Sequence, residues 1–278
     1  DYGITLVARG EDILSSTPKH ILLIDALKAP LPDFCHLPLL FGPDGKKLSK
    51  RHGDTSVSAY KDKGVISEAL FNYMCLLGWA PGNDLEIFDK QIAIEKFDLN
   101  NVLPNPAIFD TKKLLWMNGQ YIRDLKDGEF EKSFIESIQD SISRELFEQE
   151  INRLKKIKHA VQERLETLND INEQVKFLLD EPFEVNSKDW QSINTNEGQE
   201  YMKNVRNKFM STKSFKLNDI EEIMRSELEQ LNIKPKIGFQ ITRVAITGTK
   251  ISPPLFESIY ALGKENTIAR MAESIEDL

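Results

Sequence analysis

Residues Phe34–Gly53, FCHLPLLFGPDGKKLSKRHG, decide how the front of this chain is read. Phe34–Phe41 is a continuous apolar run of strand length, bounded by proline and glycine. A buried strand and a turn of helix both suit such a run. A strand feeding the turn at GPDG is the better fit. Working outward, Ile4–Val7 is rich in β-branched residues and predicts a second strand. Thr17 suits an N-cap, and Pro18 suits the first helical position, where its missing N–H costs nothing. The helix it opens ends near Leu27, before the break at Ala29–Pro32 (APLP). Strand, helix and strand in that order predict an α/β sheet, whose ligands sit beyond the carboxyl ends of the strands. Arg9–Asp12 and Asp44–Gly53 both follow strands directly.

Beyond Gly64 the pattern turns helical. Leu70, Tyr73, Met74 and Leu77 recur at helical spacing, as do Leu114, Leu115 and Met117. Phe130, Phe134, Ile138, Ile142 and Leu146 lie four apart, and Ile151, Leu154, Ile157, Val161, Leu165 and Leu168 three or four apart. The sets that start at Phe130 and at Ile151 each make an apolar stripe on one face. Asn218 with Glu221 predicts a capping box for a helix running to Leu231, and Ser252–Pro253 another helix start. Phe183–Gly198 is polar and aperiodic, and suits a linker. Trp79, Trp116 and Trp190 have no basic cluster beside them and read as core residues.

A length of 278 residues suggests about two domains. With 40% hydrophobic residues there is ample material for a core, and the net charge of -8 excludes a generally basic coat. A local basic site remains open, because a phosphate responds to nearby charge. Cys35 and Cys75 sit among apolar neighbours and read as buried free thiols. The four histidines show no zinc-ligand spacing, so no metal site is expected in this portion. No apolar run approaches the roughly 20 residues that span a bilayer. A cytoplasmic monomer without a membrane anchor is the expectation. The opening DYGITLV has no Met and starts in the middle of a strand, as if a part lay upstream.

Positive charge gathers at Lys46, Lys47, Lys50 and Arg51. A Gly-flanked loop of this kind can hold a polyphosphate, through lysine charge and backbone N–H groups near Gly45 and Ser49. It can equally be a solvated charge run. The G-x-x-x-x-G-K-[ST] spacing is absent, so it is not a Walker A loop. Its order decides more. KLSKR (Lys47–Arg51) matches the KMSKS pattern of class I aminoacyl-tRNA synthetases. ARGED, STPKH, HLPLLFGPDGKKLSKRHG, EALFNYMCLLGW, IFD, WMNGQYI and VAITGTKISPPLFE follow one another along the chain. Together they closely resemble the bacterial glutamyl-tRNA synthetase family, from residue 1 to about residue 271.

The resemblance implies roles. Lys47 and Lys50 fall on the two signature lysines, which with Ser49 and Arg51 hold the ATP phosphates and stabilise the adenylate-forming transition state. Leu48 replaces the commoner Met, a volume-conserving swap. Arg9 matches the arginine that grips the side-chain carboxylate of substrate L-glutamate, a bidentate match for a guanidinium. Without the resemblance it would be read as a structural salt bridge. Asp12 falls where the family has an acidic residue near ATP, and Leu40 where main-chain groups meet adenine. Arg164, Arg243, Ser252, Pro253 and Leu255 match anticodon contacts on the glutamate tRNA. Mg²⁺ is expected to accompany the ATP.

The implied fold is mainly α. Residues 1–53 end a Rossmann-like α/β catalytic domain, and 54–124 form a helical stem-contact region. Residues 125–197 and 198–278 form two helical anticodon-binding subdomains. The second class I signature, HIGH, is absent here and is expected upstream, so the chain alone is expected to lack aminoacylation activity. Two alternatives stay open. A glutaminyl-tRNA synthetase would carry β-barrels in its anticodon region, against the stripes from Phe130 to Leu231. A stand-alone tRNA-binding or scaffolding module would bind without catalysis.

Overall fold

The computed structural model describes residues 2–49, 56–179 and 183–276. The chain divides into two compact units, Asp1–Tyr121 and Ile122–Leu278.

The first unit opens with β1 (Leu6–Gly10), a two-turn 3₁₀ helix (Glu11–Ser16), α1 (Thr17–Ala26), β2 (Asp33–Leu37) and β3 (Leu40–Phe41). β1 and β2 pair in parallel, with Arg9 opposite His36. The strand expected at Ile4–Val7 therefore begins two residues later and carries Arg9 inside it. The expected strand Phe34–Phe41 is cut in two at Pro38, which has no N–H to give a ladder. Thr17 is not the N-cap. Ser16 stands there, without a side-chain cap bond, and the Thr17 hydroxyl turns to Arg9 instead.

α2 (Val57–Asp62), α3 (Ser67–Leu76), α4 (Lys90–Lys96), β4 (Ala107–Ile108) and α5 (Thr111–Asp124) follow. β4 pairs in parallel with β3. Leu70, Tyr73, Leu114 and Met117 form the core here. Met74 faces out, and Asn72 is buried in its place. Its Oδ1 accepts from the Phe88 N–H at 3.0 Å and from the Tyr121 hydroxyl at 2.7 Å, while its Nδ2 has no hydrogen-bond partner among the described residues. Burial pushes the Tyr73 phenol up to about 12, and its oxygen accepts from the Asp110 N–H. Trp79 is buried as expected, whereas Trp116 is 45% exposed and Trp190 half-buried. On α5, Leu114 and Met117 take the inward face, and Trp116, one position earlier than Met117, points about 100° away. Both cysteines are free and half-buried.

In the second unit every described element is a helix, which leaves no described support for the β-barrel alternative. These are α6 (Asp127–Gln139), α7 (Arg144–Gln162), α8 (Asp170–Leu179), α9 (Ser187–Ile193), α10 (Asn196–Ser211), α11 (Leu217–Leu231), α12 (Pro235–Thr247), α13 (Leu255–Leu262) and α14 (Lys264–Glu276). Phe130, Phe134, Ile138, Leu154, Ile157, Val161 and Leu165 are fully buried, so both stripes face inward. The first stripe does not run on as one helix. Ser143 caps a new one by accepting from the Leu146 N–H. The expected linker Phe183–Gly198 contains α9, capped by the Asn186 side chain. Seven residues are too few to show a period. The capping carboxylate of α11 belongs to Asp219, which accepts from the Lys216 N–H, rather than to Glu221. Gly238 on α12 permits a close approach: a Cβ there would stand 2.6 Å from Leu228 Cδ2 and 2.8 Å from the Tyr201 ring.

Lys158 is nearly buried and lies between Asp127 and Glu131. Burial pulls its ammonium down, but hydrogen bonds to the two carboxylates outweigh that and hold it above the ordinary lysine value. Hydrogen bonds from Lys158, then Lys155, hold Glu131 at about 2, below its ordinary 4.5. A lowered carboxyl contributes stability above its unfolded value and loses it as pH falls through the folded one. In the intact chain the stability difference between wild type and Glu131→Gln is thus expected to be full above pH 4.5 and to vanish toward pH 2. Denaturant titration across that range measures it; a difference that stays constant with pH would remove the linkage.

Candidate active site and anticodon interface

The basic loop is built by a tight turn. Gly45 has φ +72°, which glycine adopts without strain. Its N–H donates to the Gly42 carbonyl at 3.0 Å, and the Asp44 carboxylate accepts from the Lys46 N–H. The chain then doubles back. Gly42 N–H donates to the Lys46 carbonyl, and Leu48 N–H to the Leu40 carbonyl at 2.7 Å. This delivers Lys47 Nζ to Asp12 at 2.8 Å, across 35 residues of sequence. The hydrogen bond from Lys47 is the main reason the Asp12 carboxyl lies below its usual range. Both side chains are about half exposed, so the pair is open to exchange with an incoming anion. Leu40 is half-buried beside the turn. Ser49 is described and half-buried; Lys50 and Arg51 lie outside the described residues.

Arg9, three residues before Asp12, is fixed from three sides. Its Nε donates to His36 Nε2 at 3.1 Å, Nη1 to His20 Nδ1 at 2.9 Å and Nη2 to the Thr17 hydroxyl at 2.7 Å. A guanidinium cannot accept, so both ring nitrogens facing it are acceptors. The Phe34 ring lies under it, 5.0 Å from centroid to Cζ. Among the described residues no carboxylate pairs with Arg9, so the salt-bridge alternative finds no partner there. The sequence reading missed His20, His36, Thr17 and Phe34. Two histidines within one strand–helix–strand unit were a usable signal, but only the register Arg9↔His36 gives it meaning.

In the second unit, Arg243 Nη1 donates to the Ser252 hydroxyl at 2.5 Å and to the Pro253 carbonyl at 2.7 Å. Arg243 thereby ties the segment between α12 and α13 to α12. Burial, then the charge of Arg164, pulls its guanidinium down, which places the two arginines within electrostatic reach. Arg164 is exposed just past the end of α7. Ser252, Pro253 and Leu255 are buried, and α13 begins two residues later than the expected Ser252–Pro253 start. Beside Ser252 an open groove of about 560 Å³ is lined by Phe177, Phe183, Asn186, Asp189 and Ile251, among others.

These features have counterparts in known proteins. Residues 132–275, just over half the chain, match the anticodon binding domain family, and residues 1–116 match the class I (E and Q) tRNA synthetase catalytic domain. Glutamate--tRNA ligase 1 of Caldanaerobacter subterraneus subsp. tengcongensis is 39% identical over 280 residues, covering 99% of this chain and 58% of the relative. The glutamate--tRNA ligase of Aquifex aeolicus is 36% identical over 283 residues, with the same coverage. The crystal structure of a glutamate tRNA ligase from Elizabethkingia meningosepticum in complex with its amino acid superposes with a TM-score of 0.81 at 29% identity, covering 99% of this chain and 57% of that one. The chain thus spans a little under three-fifths of the length of the relatives it matches. With the end of a class I catalytic domain in its first unit and an anticodon binding domain in its second, the chain belongs to the glutamyl-tRNA synthetase family.

Proposed function

We propose that this chain is the latter part of an enzyme that ligates L-glutamate to the glutamate tRNA. The carboxylate of glutamate attacks the α-phosphate of ATP, pyrophosphate leaves, and the glutamyl group passes from the adenylate to the tRNA 3′ end. The observation that carries this reading is the pairing of Lys47 with Asp12, three residues on from Arg9. It brings the phosphate-binding loop to the strand end that holds a guanidinium without a counter-charge.

In this reading Arg9 grips the side-chain carboxylate, and Lys47, Ser49, Lys50 and Arg51 hold the phosphates. Lys47 and Lys50 stabilise charge that moves toward pyrophosphate in the transition state. Asp12 holds Lys47 until ATP arrives, and main-chain groups at Leu40 meet adenine. Mg²⁺ is expected to come with the ATP phosphates. Arg164 and Arg243 present donors to anticodon bases, and the groove beside Ser252 has room for an unstacked base. Pro253 and Leu255, both buried, hold the segment that carries Ser252. Residues 1–53 close the catalytic fold, 54–124 face the tRNA stem, and 125–197 and 198–278 form the anticodon-binding region. The enzyme is read as a cytoplasmic monomer.

Charging by a chain of the relatives' full length carrying this sequence tests the reading. ATP-dependent attachment of glutamate to the glutamate tRNA is expected, with the glutamine tRNA charged poorly. Residues 1–278 alone are expected to bind tRNA with a steep salt dependence but not to charge it. Failure of the full-length chain to charge glutamate sinks the assignment. Efficient charging of the glutamine tRNA sinks the role given to Arg164 alone.

A further inference from the structure

The surroundings of Arg9 are unusual for a cation held by so many partners. Its acceptors are Thr17, His20 and His36, and Phe34 lies beneath it. Thr17 Oγ1 also lies 3.1 Å from His36 Nε2, so the acceptors support one another. A guanidinium has five N–H donors. Three are used here, one each on Nε, Nη1 and Nη2. One N–H is left on each terminal nitrogen, the two-pronged set that a carboxylate takes. The nearby charged groups are engaged elsewhere: Glu11 accepts from the Leu39 N–H, and Asp12 is paired with Lys47. The three contacts therefore hold Arg9 in place without cancelling its charge.

We propose that Thr17, His20 and His36 are positioning residues, an uncharged acceptor cradle that aims Arg9 at the substrate carboxylate and so sets the preference for glutamate over glutamine. This rests on the role proposed for Arg9 above. A glutamate carboxylate meets a full positive charge with two donors free. A glutamine side chain brings a single acceptor oxygen and an NH₂ group that faces further donors. An acidic residue in the cradle would hold Arg9 equally well but satisfy it in advance.

Three replacements of His36 in a full-length chain separate these effects. His36→Leu removes the acceptor and is expected to raise KM for glutamate about ten-fold, with kcat and KM for ATP nearly unchanged. His36→Gln restores an acceptor and is expected to recover most of that loss. His36→Glu also restores an acceptor, but is expected to lower kcat/KM for glutamate further than His36→Leu and to narrow the glutamate-to-glutamine ratio by about ten-fold or more. The proposal is overturned if His36→Glu behaves as wild type, or if the losses fall equally on kcat and on KM for ATP. Should the His36 proteins unfold, Thr17→Val at nearly constant volume gives the same readout, and an unmoved KM for glutamate overturns the cradle. A wild type that does not charge glutamate at all removes both proposals. A wild type that does, with KM unmoved in the variants, removes only this one.

Discussion

Arg9→Leu is expected to lower kcat/KM for glutamate by roughly 10²–10⁴-fold, the range for removing one partner of a hydrogen-bonded charge pair in a polar substrate pocket. Leucine takes away the positive charge and the two free donors. It also strands His20 Nδ1, His36 Nε2 and the Thr17 hydroxyl, which now serve Arg9. Arg9→Lys is expected to recover little. An ammonium keeps the charge but cannot reach three acceptors and a carboxylate from one planar fork. KM for ATP should move far less than KM for glutamate in both proteins. Steady-state charging of the full-length chain decides it, and retention of near wild-type kcat/KM by Arg9→Leu would remove Arg9 from the glutamate site.

Phe134→Ala is expected to destabilise the second unit by about 3–5 kcal/mol, as for other fully buried phenylalanines. Phe134 is 0% exposed on α6, with the Phe130 ring 5.8 Å away. The ring's removal forfeits its transfer energy and leaves a hole that rigid neighbours fill only in part. Trp116→Ala makes the internal control. That side chain is 45% exposed, so its loss should be well below that of Phe134 despite its greater size. Denaturant unfolding of residues 1–278 gives both values. A loss under about 1 kcal/mol for Phe134→Ala would mean that α6 collapses onto α7 and α8 without a cavity.

The helical half was legible because its signal is local. Phe130, Phe134 and Ile138 repeat every four residues, and all three are buried as that period requires. The errors were also local ones. Asn218–Glu221 and Ser252–Pro253 look like helix starts, but each true start lies two residues or so away: Asp219 supplies the capping carboxylate of α11, and α13 starts after Pro254 without a side-chain cap. α9 was invisible because seven residues hold no period. Trp116 was misplaced because apolarity does not say which side of a helix faces in. At Asn72 a hydrogen bond made the polar residue the buried one.

The strand–helix–strand order, the lysine loop and the helical nature of the second half were set by composition and spacing, since turns, caps and amphipathic periods involve neighbours along the chain. The order of the motifs was enough to place the chain beside its relatives. Tertiary structure alone decided what surrounds Arg9 and what Lys47 touches. Parallel strands are paired only through a crossover, so no short-range pattern announces that Arg9 stands opposite His36, 27 residues away. Nor does one announce that a turn at Gly42–Gly45 swings Lys47 onto Asp12. Hydrogen bonds and charges act over a few ångströms of space, and only the folded chain brings residues so far apart in sequence within that range.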